Sequence, residues 1–104
     1  MDLSGVSFIG QLFDNQSFTI NNAYPNPFSQ ELSLEIASKR FAPADLEVLN
    51  DLGQVIFRKE VNLKEGLNSI FIELNNDDFG LLTIQLSQKA LGLKAHKRVM
   101  RVKE

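Results

Sequence analysis

The sequence predicts an all-β fold, a seven-stranded immunoglobulin-like antiparallel β-sandwich, on three observations. Apolar residues recur with a period of two in short runs such as Leu32, Leu34, Ile36 and Leu82, Ile84, Leu86. That is the pattern of a strand with one face buried. Turn-forming residues interrupt these runs about every 8–12 residues, the spacing of a sandwich or small barrel. No window combines a helix cap with a sustained helical stripe, so a single turn at most is expected over 5–14 or 86–93. Strands that bury one face need a second layer to cover it, and a facing sheet supplies one.

The elements follow in order. Residues 1–16 carry Val6, Phe8, Ile9, Leu12 and Phe13 in neither period, and are expected as a linker or edge segment ahead of a sandwich over 17–104. Phe18 and Ile20 alternate with Thr19 and Asn21 as a short strand. In Asn22 to Phe28 two prolines fix their own φ and push their predecessors into extended geometry, so a rigid bend is expected. Leu32, Leu34 and Ile36 set the next strand, and Ala42-Pro43-Ala44 is expected to break the pattern. Leu46 and Val48 lead into Asn50-Asp51-Leu52-Gly53-Gln54, a hairpin signal because Asn, Asp and Gly accept turn conformations. Val55 to Val61 forms the return strand, and Lys64-Glu65-Gly66 the turn after it. Ile70, Ile72 and Leu74 precede a polar turn over Asn75 to Gly80, and Leu82, Ile84 and Leu86 mark the next strand. After a loop through Leu91-Gly92-Leu93 comes the last strand, with Arg98, Met100 and Val102 on one face and Val99, Arg101 and Lys103 on the other.

Composition narrows the function. The 104 residues are one domain's worth, with 43% hydrophobic and 23% charged residues, near globular averages. A net charge of −2 gives no nucleic-acid footprint, although six of the cations and His96 crowd the last sixteen positions. The absence of cysteine excludes disulfides, thiolate metal sites and a cysteine nucleophile. No apolar run approaches the roughly 20 residues of a membrane-spanning helix, so membrane insertion is not expected. Asp2 stands where a signal peptide would carry basic residues, so any export leader is expected upstream.

Candidate chemistry is sparse, and neither an enzyme nor a cofactor is expected. The only histidine, His96, sits among Lys94, Lys97 and Arg98 with no neighbouring carboxylate to orient it. Asp77 and Asp78 are adjacent turn residues rather than carboxylates across a cleft. Calcium is the alternative reading of that cluster, which lacks EF-hand spacing and is equally explained by turn preference. The six glycines match no phosphate cradle. Phe18, Phe28, Phe57, Phe71 and Phe79 are read as core, and with Tyr24 the sole tyrosine and no tryptophan a sugar-stacking platform is poorly supplied.

Three separated stretches, and the way the chain ends, carry a resemblance. Tyr24-Pro25-Asn26-Pro27-Phe28 before an alternating strand resembles the opening motif of the C-terminal sorting domains of the type IX secretion system. Leu46 through Ile56 is similar to that family's strand, turn and return strand, and Glu65 through Ile70 to its G-x-N segment. Gly80 to Leu86 followed by Lys97 to Lys103 is similar to its closing pair of strands, except that Leu82 stands where the family has a tyrosine. The resemblance spans about Ser17 to Glu104. It implies an immunoglobulin-like tail that directs a cargo from the periplasm of a Gram-negative bacterium through an outer-membrane translocon. A sortase-like protease then removes the tail and attaches the cargo to the surface, or the cargo is released. It further implies recognition in the last strands, at Gly80, Leu82, Lys97, Arg98, Arg101 and Lys103, and cleavage in an irregular segment before Tyr24. The residues alone leave open an adhesion, spacer or carbohydrate-binding module, or a self-associating structural domain.

Overall fold

Seven strands form where the period-two runs place them. The computed structural model describes residues 18–88 and 92–103. Its strands are β1 (Phe18–Tyr24), β2 (Glu31–Ser38), β3 (Ala42–Leu49), β4 (Val55–Leu63), β5 (Gly66–Glu73), β6 (Gly80–Gln88) and β7 (Leu93–Arg101). There is no helix among the described residues. The strands make two antiparallel sheets, one in the order β1-β2-β5 and one in the order β4-β3-β6-β7. The fold is the expected immunoglobulin-like sandwich, and β7 lies at the edge of the larger sheet. The readings of 1–16 as a linker or edge and of a helical turn within 5–14 fall outside the described residues.

The core is built from the alternating residues of both sheets. Leu32, Leu34, Ile36 and Ile72 of the smaller sheet face Leu46, Val48, Leu82, Ile84, Leu86 and Val99 of the larger, all of them buried. Each such aliphatic side chain contributes about 1.5–3 kcal/mol by leaving water, so this facing set is the main stabilising term. Two bulges adjust the alternation. In β1, Ile20 opposes Ile36 and Asn22 opposes Glu35, which leaves Asn21 unpaired. The extra residue shifts the phase, so Ala23 turns inward after Phe18 and Ile20. In β4 the register shifts at Ile56, and Ile56 and Phe57 both pack on the core.

The boundaries differ from expectation in two places. β1 runs on to Tyr24, so the stretch before the prolines is paired strand rather than bend. Ala42-Pro43-Ala44 does not break the chain's pattern but starts β3, with Pro43 opposite Asn62. The β3–β6 pairing begins only at Asp45, so Pro43 stands where one side of the strand has no ladder among the described residues, and its missing N–H is tolerated.

Two of the aromatic assignments also change. Phe18 and Phe28 are buried and Phe57 partly so, but Phe71 and Phe79 are 53% and 41% exposed. Phe71 occupies the outward phase of β5, between the inward Ile70 and Ile72. Phe79 lies in the turn ahead of Gly80, outside any strand's alternation.

Candidate functional site

The asparagines of the signature segments clamp turns. Asn50 Oδ1 accepts from the backbone N–H of Leu52 and Gln54 at 3.0 and 2.9 Å, closing the β3–β4 hairpin, where Gly53 has φ 81°. Asn68 spans the β4–β5 connection: its Oδ1 accepts from the Lys64 N–H at 2.9 Å and its Nδ2 donates to the Lys64 carbonyl at 3.0 Å.

The opening segment acts at longer range. Tyr24, Pro25, Asn26 and Pro27 are exposed and Phe28 is buried; both X–Pro bonds are cis. Asn26 Oδ1 accepts from the Met100 N–H at 3.0 Å. The Phe28 N–H donates to the Met100 carbonyl at 2.9 Å, and the Val102 N–H donates to the Phe28 carbonyl at 2.8 Å. Phe28 thus forms a parallel bridge to β7 beside Arg101, on the edge away from β6.

Arg101 completes this junction from the inside. It is 4% exposed. Its Nε donates to the Ser29 carbonyl at 2.6 Å, Nη1 to Asn76 Oδ1 at 2.7 Å and the Asp78 carbonyl at 3.0 Å, and Nη2 to the Leu74 carbonyl at 2.9 Å. The Phe79 ring lies over the guanidinium, with Cζ 4.6 Å from the centroid, a cation–π contact. No carboxylate of the described residues pairs with it; neutral oxygens fan around the planar fork, a geometry only arginine satisfies. Within the Asn75–Asp78 turn, Asn76 Oδ1 accepts both from Arg101 and from the Asp78 N–H. Among the described residues no group of three or more acidic or histidine side chains is placed to hold a metal.

The six residues expected to mediate recognition are therefore not one surface. Arg98 and Lys103 are exposed, and Lys97 and Gly80 are half-buried. Leu82, in the family's tyrosine position, is 1% exposed and belongs to the core. Arg101 is enclosed and cannot offer its charge to a partner. The alternation of β7 explains the division: Val99 and Arg101 point in, while Lys94, His96, Arg98 and Met100 point out. Sequence reasoning placed Arg101 on Val99's face but missed its partners Ser29, Leu74, Asn76 and Asp78. A guanidinium on an apolar face needs a cage of acceptors, and the Asn75–Asp78 turn was the nearest supply.

One further feature had no sequence signal. Across the outer face of the larger sheet, Arg58, Glu47, Gln85 and His96 stand in register on four adjacent strands. Arg58 Nε lies 3.7 Å from Glu47 Oε2, Gln85 Nε2 donates to Glu47 Oε1 at 3.1 Å, and Gln85 Oε1 is 3.0 Å from His96 Nε2. Glu47 can only accept, so Gln85 presents its oxygen to His96, and His96 is the donor through Nε2.

The comparisons with known proteins agree with this architecture. No curated protein matches the chain. Residues 22–101 match the model of a family described as the secretion system C-terminal sorting domain, a span that opens just before the proline segment and closes on Arg101. The match covers most of the chain, its family is one of sorting signals rather than enzymes, and it makes the domain an export signal of the type IX system, to the cell surface or beyond. The chain belongs to the secretion system C-terminal sorting domain family.

Proposed function

We propose that the folded domain is read by the outer-membrane type IX translocon at the corner formed by β6 and β7, after its cargo has crossed the periplasm. Gly80, Lys97, Arg98 and Lys103 are the residues that meet the receptor, and Leu82 and Arg101 act from inside by holding β7 in place. The observation that carries this reading is the position of β7. It is an edge strand whose Lys94, Lys97 and Arg98 form no ion pair among the described residues, while Arg58 on the opposite edge is tied to Asp45 and Glu47. An uncompensated cationic edge raises the encounter rate with an acidic receptor groove. A sortase-like protease acts ahead of Phe18, because Phe18–Tyr24 is a paired strand and does not offer extended, unpaired backbone to a protease.

The test is a secreted reporter fused to this chain in a host with the type IX system. Lys97→Glu with Arg98→Glu is expected to retain the reporter in the periplasm while leaving the domain's stability within about 0.5 kcal/mol, as for ordinary surface changes. Normal delivery of that variant to the surface or medium overturns the proposal.

One observation favours the accessory-module alternative. Tyr24, Ser33 and Phe71 stand in one row across the smaller sheet, placing two exposed rings on its outer face. Binding of the chain to polysaccharide, lost in Phe71→Ala, is the outcome that supports that module.

A further inference from the structure

The two edges of the sandwich that carry β4 and β7 are finished differently, and the difference points to where a partner strand can add. Met100 directs both its N–H and its C=O away from β6, since these groups bond to Asn26 and Phe28. The β6–β7 register is unbroken from Gly80 opposite Arg101 to Gln88 opposite Leu93. Backbone groups alternate along a strand, so Arg98, His96 and Lys94 direct theirs to that same side. Among the described residues no strand pairs with this part of the edge.

The segment that covers Met100 and Val102 is itself poorly equipped to accept another strand. Phe28 spends its N–H and C=O on β7. On the far side, Pro27 has no N–H and the Ser29 carbonyl is taken by Arg101 Nε. A strand approaching from that side meets no donor at 27 and no free acceptor at 29.

We infer that the Tyr24–Phe28 segment is a sheet terminator that leaves Lys94–Arg98, a stretch of β7 with no paired neighbour on that side among the described residues, for strand addition, and that its occupant is an extended acidic segment of a partner protein. The inference rests on the sorting-signal reading and names the contact within it. Charge selects the occupant. Lys94, His96 and Arg98 project on the outer face and Lys97 on the other, with no carboxylate among them, so carboxylates on alternate residues of an added strand meet a single sign of charge. The edge of β4 mixes Arg58 and Lys59 with Glu60, and Arg58 is already bonded to Asp45, so it offers such a strand no comparable match.

The experiment uses the 104-residue chain and an end-capped seven-residue peptide alternating Glu and Val, with a Lys–Val peptide as its counterpart. Amide exchange followed by NMR is expected to slow by about tenfold or more at Lys94, His96 and Arg98 with the acidic peptide and not with the basic one. The effect weakens as salt is raised and is lost in Lys94→Glu with Arg98→Glu. Met100 and Val102 are protected without peptide; Asn26→Ala frees the Met100 amide and extends the peptide's footprint to it, whereas Asn26→Asp keeps the acceptor and the original footprint. Protection on β4 or β5 in place of β7, a footprint that includes Met100 in the unaltered chain, or no protection at millimolar peptide overturns the inference. None of these readouts needs a translocon, so they fail or hold separately from reporter export.

Discussion

Replacing Arg101 by lysine separates a charge from a fork. If the terminal cation mattered only as charge, Arg101→Lys would be neutral. The structure gives a different figure. The guanidinium makes four hydrogen bonds of 2.6–3.0 Å to oxygens from two segments of chain, and it lies beneath Phe79. One ammonium nitrogen cannot reach all four oxygens, and it lacks the planar face for the ring. Taking two of these bonds as lost, at about 1.5 kcal/mol each for a charged donor, the substitution costs about 3 kcal/mol. The charge remains buried, so no recovered solvation offsets the loss. Arg101→Met removes the charge with its desolvation penalty and leaves Leu74's carbonyl as the one fully buried acceptor to go unmet, a cost of about 2 kcal/mol. Urea unfolding of the three proteins measures the order parent, Met, Lys. For a domain of this size the lysine variant should melt about 12–24 °C lower. A lysine variant within about 0.5 kcal/mol of the parent, or clearly more stable than the methionine one, refutes the account of the cage.

Two more perturbations test the frame around that cage. Phe28→Ala empties a site that is 1% exposed beneath the terminator segment, and should cost about 3–5 kcal/mol by urea unfolding. Gly80→Ala meets no atom within 4 Å, but Gly80 has φ +100°, so a loss of about 1–3 kcal/mol is expected from backbone strain alone, measured in the same way.

The fold was legible because burial here follows strict alternation. Leu32 through Ile36 and Leu82 through Leu86 are inward at every second residue, and nothing in the tertiary structure overrides that. Boundaries were less legible where an exception depends on a neighbour. Pro43 reads as a breaker unless one knows that the pairing of β3 with β6 begins two residues later among the described residues. The bulge at Asn21 leaves no mark in sequence, because Asn21 and Asn22 are the same residue and either suits an outward position. At the candidate site, local parity put Arg101 with Val99, but the oxygens that hold it come from residues 23 to 72 positions away. Cations counted along the chain read as one patch. Alternation turns Arg98 outward and Arg101 inward.

That long-range closure bears on what a receptor reads. Asn26 reaches Met100 across 74 residues and Ser29 reaches Arg101 across 72, so the junction of opening motif and terminal strand forms only when the intervening strands are in place. Contacts of such separation carry the full loop-closure cost and are not sampled by an unfolded tail. The cations of β7 exist in any conformation of the chain, but their spacing along an edge with one end closed exists in the folded one alone. A partner that recognised charge by itself would bind a frayed or half-made tail as well as a finished one. A partner that adds a strand to Lys94–Arg98 needs β6 to hold the register, Arg101 to seat the far end and the proline segment to stop the ladder. Recognition through this edge therefore selects for completed folding, and it does so with no moving part: the condition is met by the topology of the sandwich itself.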